Sequence, residues 1–216
     1  MNVIYWIGGS SCSGKTSCAS SISEKYNLHL YNTDIYAFGK YMFEIQNIES
    51  YPSILKYRNI ICSGMDNMVN MDCNKQAIDF YNYCKEVFQF LLNDIIRLSK
   101  DKSVLVEGAH LFPSLIKQYS NNSNNIFLVS NKEHQKNIWL NEMSSEIPGG
   151  HPGEIENYQK SKYKKEIEEK RINFHDKIGK IIIDQCILEN MKYIMVDGKL
   201  PQIEIENKVI EELNLA

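Results

Sequence analysis

Three groups of residues in this sequence have types and spacings suited to chemistry. The first is Gly9-Ser10-Ser11-Cys12-Ser13-Gly14-Lys15-Thr16, of the form G-x-x-x-x-G-K-[ST], followed by Ser17. Its glycines let backbone N–H groups converge on a phosphate, and a helix beginning at the lysine adds partial positive charge. Lys15 then reaches the β- and γ-phosphates of a nucleotide, and the Thr16 hydroxyl offers a ligand to Mg²⁺. The second group is a pair of carboxylates, Glu107, which closes a run of three apolar residues, and Asp34, which follows Leu28–Tyr31 in Asn32-Thr33-Asp34. The third is Arg171, one of three arginines with Arg58 and Arg97. Together they suit the binding of a metal-complexed polyphosphate and the transfer of its terminal phosphoryl group.

These residues need a scaffold, and the hydrophobic pattern supplies one. Val3–Ile7 is short, apolar and β-prone and leads straight into the loop, while Lys15–Tyr26 reads as the helix after it. Leu28–Tyr31 is a second strand, so Asp34 falls just beyond its carboxyl end, either contacting a ligand or capping the next helix. Ile35–Ile61 interrupts the rhythm and Ser63–Asn74 reads as a loop. Lys75–Ser99 then carries an i, i+3/i+4 stripe through Ala77, Phe80, Tyr81, Cys84, Val87, Phe88, Leu91, Ile95 and Leu98, hence a long amphipathic helix capped by Asn74. Ser103–Gly108 is a third strand whose Glu107 occupies the position of a Walker B acid. Asn125–Ser130 and Tyr193–Val196 are the fourth and fifth strands. His134–Met143, the charged run from Glu154 through Ile183, and Ile203–Leu213 are helices, and Ile147–Gly153 is a loop. The fold class is therefore α/β, a three-layer α/β/α domain over residues 1–216 with a five-stranded parallel sheet. A helical insertion at about 36–100 is expected to cap an acceptor, and a helical lid at about 131–175 to close over the phosphates.

Composition limits the alternatives. At 216 residues the chain suits one sizeable domain. A net charge of −3 argues against an extended nucleic-acid surface. The six cysteines include no C-x-x-C pair, and Cys12 lies inside the phosphate loop, so reduced thiols and a cytoplasmic location are expected. No stretch approaches the roughly 18 apolar residues that span a membrane. A monomer or homodimer is expected.

With these pieces placed, the chain resembles the P-loop kinases of small metabolites, a group that includes uridine, shikimate, gluconate and 2-phosphoglycerate kinases and chloramphenicol phosphotransferase. The resemblance lies in Gly8–Thr16, in Asn32-Thr33-Asp34, and in Val106-Glu107-Gly108-Ala109-His110-Leu111-Phe112-Pro113. His134 and Arg171 fit the 2-phosphoglycerate group loosely. It implies ATP and Mg²⁺ as cofactors and a small-molecule acceptor whose hydroxyl takes the γ-phosphoryl group. Gly9 to Ser17 would bind nucleotide, Thr16 and Glu107 the metal, and Lys15, Asp34 and Arg171 would be catalytic. Such kinases commonly place further arginines in the lid, and here none precedes Arg171 within it. The alternative reading is a nucleotide-dependent switch that transfers nothing.

Overall fold

The computed structural model describes residues 2–121, 123–144 and 154–215. Five strands, β1 (Ile4–Gly9), β2 (His29–Asn32), β3 (Val104–Glu107), β4 (Asn125–Ser130) and β5 (Tyr193–Val196), form one parallel sheet in the order β2-β3-β1-β4-β5. The expected three-layer α/β/α architecture is what the chain adopts. The period-2 alternation of each strand sends its residues to two different cores. Trp6, Tyr31, Val104, Val106, Phe127 and Val129 point to one face. Ile7, Leu105, Ile126, Leu128 and Val196 point to the other.

The helices distribute accordingly. α1 (Lys15–Lys25) buries Cys18, Ala19 and Ile22 on the second face together with α10 (Gln202–Glu212). Between β2 and β3 the chain runs through a π-helical turn at Ile35–Tyr41, then α2 (Met42–Glu44), a 3₁₀ turn at Ile48–Ser50, α3 (Pro52–Cys62), α4 (Met65–Met68) and α5 (Cys73–Leu98). α6 (Pro113–Ile116) follows β3, and α7 (Lys132–Ser144), α8 (Glu154–Lys160) and α9 (Lys164–Leu188) lie between β4 and β5. α5 and α9 cover the first face, the side a right-handed crossover requires for steps in their direction along the sheet. Among the described residues, no helix is long and apolar enough to cross a membrane.

Several boundaries differ from those read in the sequence. β1 runs on to Gly9, because Gly8 and Gly9 still pair with Phe127 and Leu128 of β4. The stretch expected as a loop at Ser63–Asn74 contains α4, and α5 starts at Cys73 with Asp72 as its cap, accepting from the Lys75 N–H at 2.9 Å. Asn74 is therefore inside the helix. The aromatic stripe of α5 is core: Phe80, Cys84, Val87, Leu91 and Ile95 are all buried. Glu86 on the same helix accepts from the N–H groups of Ser53 and Ile54 at 2.9 Å, capping α3 and fastening the insertion to α5. All six cysteines are free thiols. The expected loop over Ile147–Gly153 lies outside the described residues.

Sheet closure at the site depends on a missing side chain. Gly9 has φ +137°, and a Cβ there would lie 1.9 Å from the Leu128 carbonyl oxygen. Gly9→Ala is expected to cost about 3 kcal/mol or more, read by urea unfolding. Gly39→Ala is the control: a Cβ there meets nothing within 4 Å, and the change should stay under about 1 kcal/mol.

Candidate functional site

The loop between β1 and α1 is held from three sides. Ser10 Oγ accepts from the Ser130 N–H at 2.8 Å, and Gln135 of α7 donates to the Ser11 carbonyl at 3.2 Å. Gln202 of α10 donates to the Gly14 carbonyl at 3.3 Å. Gly14 (φ +77°) and Cys12 (φ +56°) take left-handed conformations, which fold the loop back over the start of α1. Ser17 sits exposed on the first turn of that helix. Lys15 is buried and its ammonium donates to the Ser10 carbonyl and to Ser13 Oγ. Burial pushes that ammonium below the ordinary lysine range, opposed by the charges of Asp34 and Glu107.

Glu107 is fully buried at the end of β3, beside β1 in the sheet. Thr16 Oγ1 donates to one of its oxygens at 3.3 Å, and the Asn32 amide donates to the other. Burial raises its carboxyl to about 7; Lys15 and the Thr16 hydroxyl pull it down, and Asp34 pushes it further up. A hydroxyl beside a carboxylate is a pair of hard oxygen donors, the chemistry Mg²⁺ prefers. Among the described residues, no cluster of three or more His, Cys, Asp or Glu side chains is assembled for a metal. An ion held here would thus depend on phosphate and water for its remaining ligands.

Asp34 does not cap the helix that follows it. Asn32 does: its Oδ1 accepts from the Asp34 N–H at 2.8 Å and the Ile35 N–H at 3.1 Å. This frees the Asp34 carboxylate, which accepts from the Ala109 N–H at 3.0 Å and contacts His110 Nδ1 at 2.7 Å. Burial pushes the carboxyl up, but the His110 hydrogen bond and charge, Lys15 and the Ala109 N–H more than offset that, so it stays ionised well into acid. The close approach of β2 to β3 at this point requires Gly108, where φ is +143° and a Cβ would meet Thr33 Oγ1 at 2.0 Å.

Arg171, on α9, lies close enough for its charge to act on Cys12 of the loop, on Tyr57 of α3 and on His175. The structure thus gathers Lys15, Thr16, Asp34 and Glu107 at the carboxyl edge of the sheet, with the Arg171 charge bearing on the loop. His134 stands apart, with its ring beside Gly198 in the exit turn of β5. Sequence reasoning missed His110 and Asn32. Both lie inside stretches that resemble the kinases, and the signal for each was a polar residue within three positions of a strand-end carboxylate.

No family model matches the chain and no curated protein matches its sequence. Solved structures with a similar chain path include a sugar kinase from Janibacter sp. (12% identity, 100% of this chain and 96% of that one, TM-score 0.47). A shikimate kinase from Aquifex aeolicus is 16% identical over 98% of this chain and 96% of its own, with a TM-score of 0.46. A gluconokinase from Sinorhizobium meliloti is 13% identical over 99% and 92%, also with a TM-score of 0.46.

The raised Glu107 carboxyl makes stability depend on pH. Unfolded, the group titrates near 4.5, and folded near 7. Its stabilising contribution is full below the lower value and is lost as pH rises through the higher one. In metal-free buffer Glu107→Gln should therefore gain on wild type as pH rises from about 5 to about 8, by up to about 3 kcal/mol. Urea unfolding at both pH values checks this, and a gap independent of pH would contradict the buried-carboxylate account.

Proposed function

We propose that this protein is an ATP-dependent phosphotransferase that moves the γ-phosphoryl group to a hydroxyl of a small molecule. The observation that carries the reading is Asp34: an ionised carboxylate, released from capping, held by His110 and Ala109, at the same sheet edge as Lys15 and the Thr16–Glu107 pair. A protein that only bound nucleotide would have no use for a second carboxylate positioned in this way.

In this reading the backbone from Gly9 to Ser17 cradles the polyphosphate and Lys15 neutralises its terminal oxygens. Thr16 and Glu107 hold Mg²⁺, which when bound withdraws charge from the phosphate oxygens. Asp34 accepts a hydrogen bond from the acceptor hydroxyl, keeping the nucleophile in line with the γ-phosphorus. As the new O–P bond forms and the bond to the ADP oxygen breaks, the hydroxyl proton passes to Asp34. A carboxylate of depressed pKa suits a loose transition state, in which that proton leaves late. Arg171 adds positive charge on the loop side as the phosphoryl group moves. The insertion between β2 and β3 shapes the acceptor side, and the segment at about 131–175 forms the lid.

Lys15→Ala should weaken ATP binding in calorimetry and abolish turnover. Asp34→Asn should keep ATP affinity close to wild type while turnover falls on the order of 10²–10⁴-fold, read as ADP release in the presence of acceptor. Steady ADP release that no acceptor stimulates, and that Asp34→Asn leaves intact, would overturn the transfer reading.

A further inference from the structure

Asp34 uses its two oxygens unequally. Oδ1 lies against the exit turn of β3, where it accepts from the Ala109 N–H at 3.0 Å and meets His110 Nδ1 at 2.7 Å. Gly108 makes room for it, since a Cβ there would stand 2.8 Å from Oδ1. Oδ2 takes no hydrogen bond among the described residues, and it is not a buried orphan, for the side chain keeps 33% of its surface exposed. His110 is the reverse, with no exposure at all. Phe38 of the π-helical turn and Tyr83 and Phe80 of α5 pack on its ring, with centroids at 4.5, 5.5 and 5.6 Å. Packing this close holds the ring in one orientation. Its buried Nε2 has no partner among the described residues, which is unfavourable. A carbon ring would fill the same space without that penalty. What only the imidazole adds is a donor to Asp34. An ionised carboxylate can only accept, so the shared hydrogen sits on Nδ1 whether or not Nε2 carries another.

We propose that His110 is a positioning residue for the transfer: it reserves Oδ1 of Asp34, so that Oδ2 alone receives the acceptor hydroxyl, and the insertion's aromatic side chains act by clamping the His110 ring. The proposal rests on the phosphotransferase reading and assigns the atom that takes the proton. As the acceptor oxygen bonds to the γ-phosphorus and the bond to the ADP oxygen breaks, the hydroxyl hydrogen passes to Oδ2. The hydrogen on His110 Nδ1 stays in place throughout. A carboxylate held by one N–H alone could swing about it and carry the nucleophile out of line. A misplacement of about 1 Å costs on the order of 10²-fold in rate. Phe38, on the turn that leads away from Asp34, thereby serves the reaction without touching substrate.

The test follows ADP release by the full chain with MgATP and a panel of hydroxyl compounds: the four common ribonucleosides, glycerol, gluconate, glycerate and shikimate. Rates are compared with whichever acceptor gives the fastest release, water included. His110→Asn and His110→Leu remove similar volume, and only the amide can place an N–H where Nδ1 stood. His110→Leu should lower kcat on the order of 10²-fold and leave KM near wild type. His110→Asn should recover at least about tenfold of that loss. His110→Phe, which keeps a packed ring and drops the orphaned atom, should match His110→Leu in kcat while unfolding at no lower urea concentration than wild type. Phe38→Ala should lower kcat more than it raises KM. In an Asp34→Asn background His110→Leu should cost nothing further, because it acts through that carboxylate. Equal kcat for His110→Asn and His110→Leu, or a loss that persists in full in the Asp34→Asn background, would reduce His110 to packing. Absent ADP release, or release that Asp34→Asn leaves intact, sinks the phosphotransferase reading and this inference with it. Release that needs Asp34 but not the His110 donor sinks this inference alone.

Discussion

A fully buried carboxylate is the constraint on which the rest of the site depends. Glu107 has no exposure, and its two oxygens are committed to different elements, one to Thr16 at the start of α1 and one to Asn32 at the end of β2. Burying such a group is unfavourable unless its lone pairs are met. The site meets them by drawing the phosphate loop's helix and the neighbouring edge strand to the end of β3. Asn32 serves twice, since the same side chain also accepts from the backbone that enters the π-helical turn. The arrangement of β2, β3 and α1 at the carboxyl edge is thus cross-linked through one acid.

The insertion between β2 and β3 is part of the same core as the sheet. Ala37, Met42, Ile54, Tyr57 and Ile60 pack into the cluster that also contains Trp6, Val104 and Phe127. A second acid, Asp94 on α5, ties it down. It pairs with Arg97 at 3.0 Å and accepts from Tyr31 at 3.3 Å and from Tyr41. The turn that carries Phe38 therefore has one end bonded to Asn32 and the other to Asp94.

Much of this was legible in the sequence. The glycine-rich loop is a contiguous motif flanked by the right periodicities, and the strands are short β-prone runs, most of them apolar, so their types and their order along the chain were plain. Glu107 and Asp34 were readable as strand-end carboxylates because the sheet puts such positions on one edge. The insertion was not, since a π-helical turn and several helices of three or four residues leave no period to detect. Capping was misassigned at Asn74 because Asp72 and Asn74 are equally good caps and only the backbone decides between them. His110 escaped notice for a different reason. Its importance lies in a contact to Asp34 across 76 positions, and its local place three residues after Glu107 does not point to that partner.

The brace from Gln202 to Gly14 spans 188 positions of sequence. On a ribosome elongating at about 5–20 residues per second, roughly 10–40 s separate the emergence of these two residues. For more than half of that interval β4 and α7 have not been made, and α10 arrives only at its end, so first none and then only some of Leu128, Ser130, Gln135 and Gln202 can hold the glycine-rich loop. The glycine-rich loop therefore stays without its braces for more than half of the synthesis that separates Gly14 from Gln202. The loop gains its full set of braces only when α10 arrives.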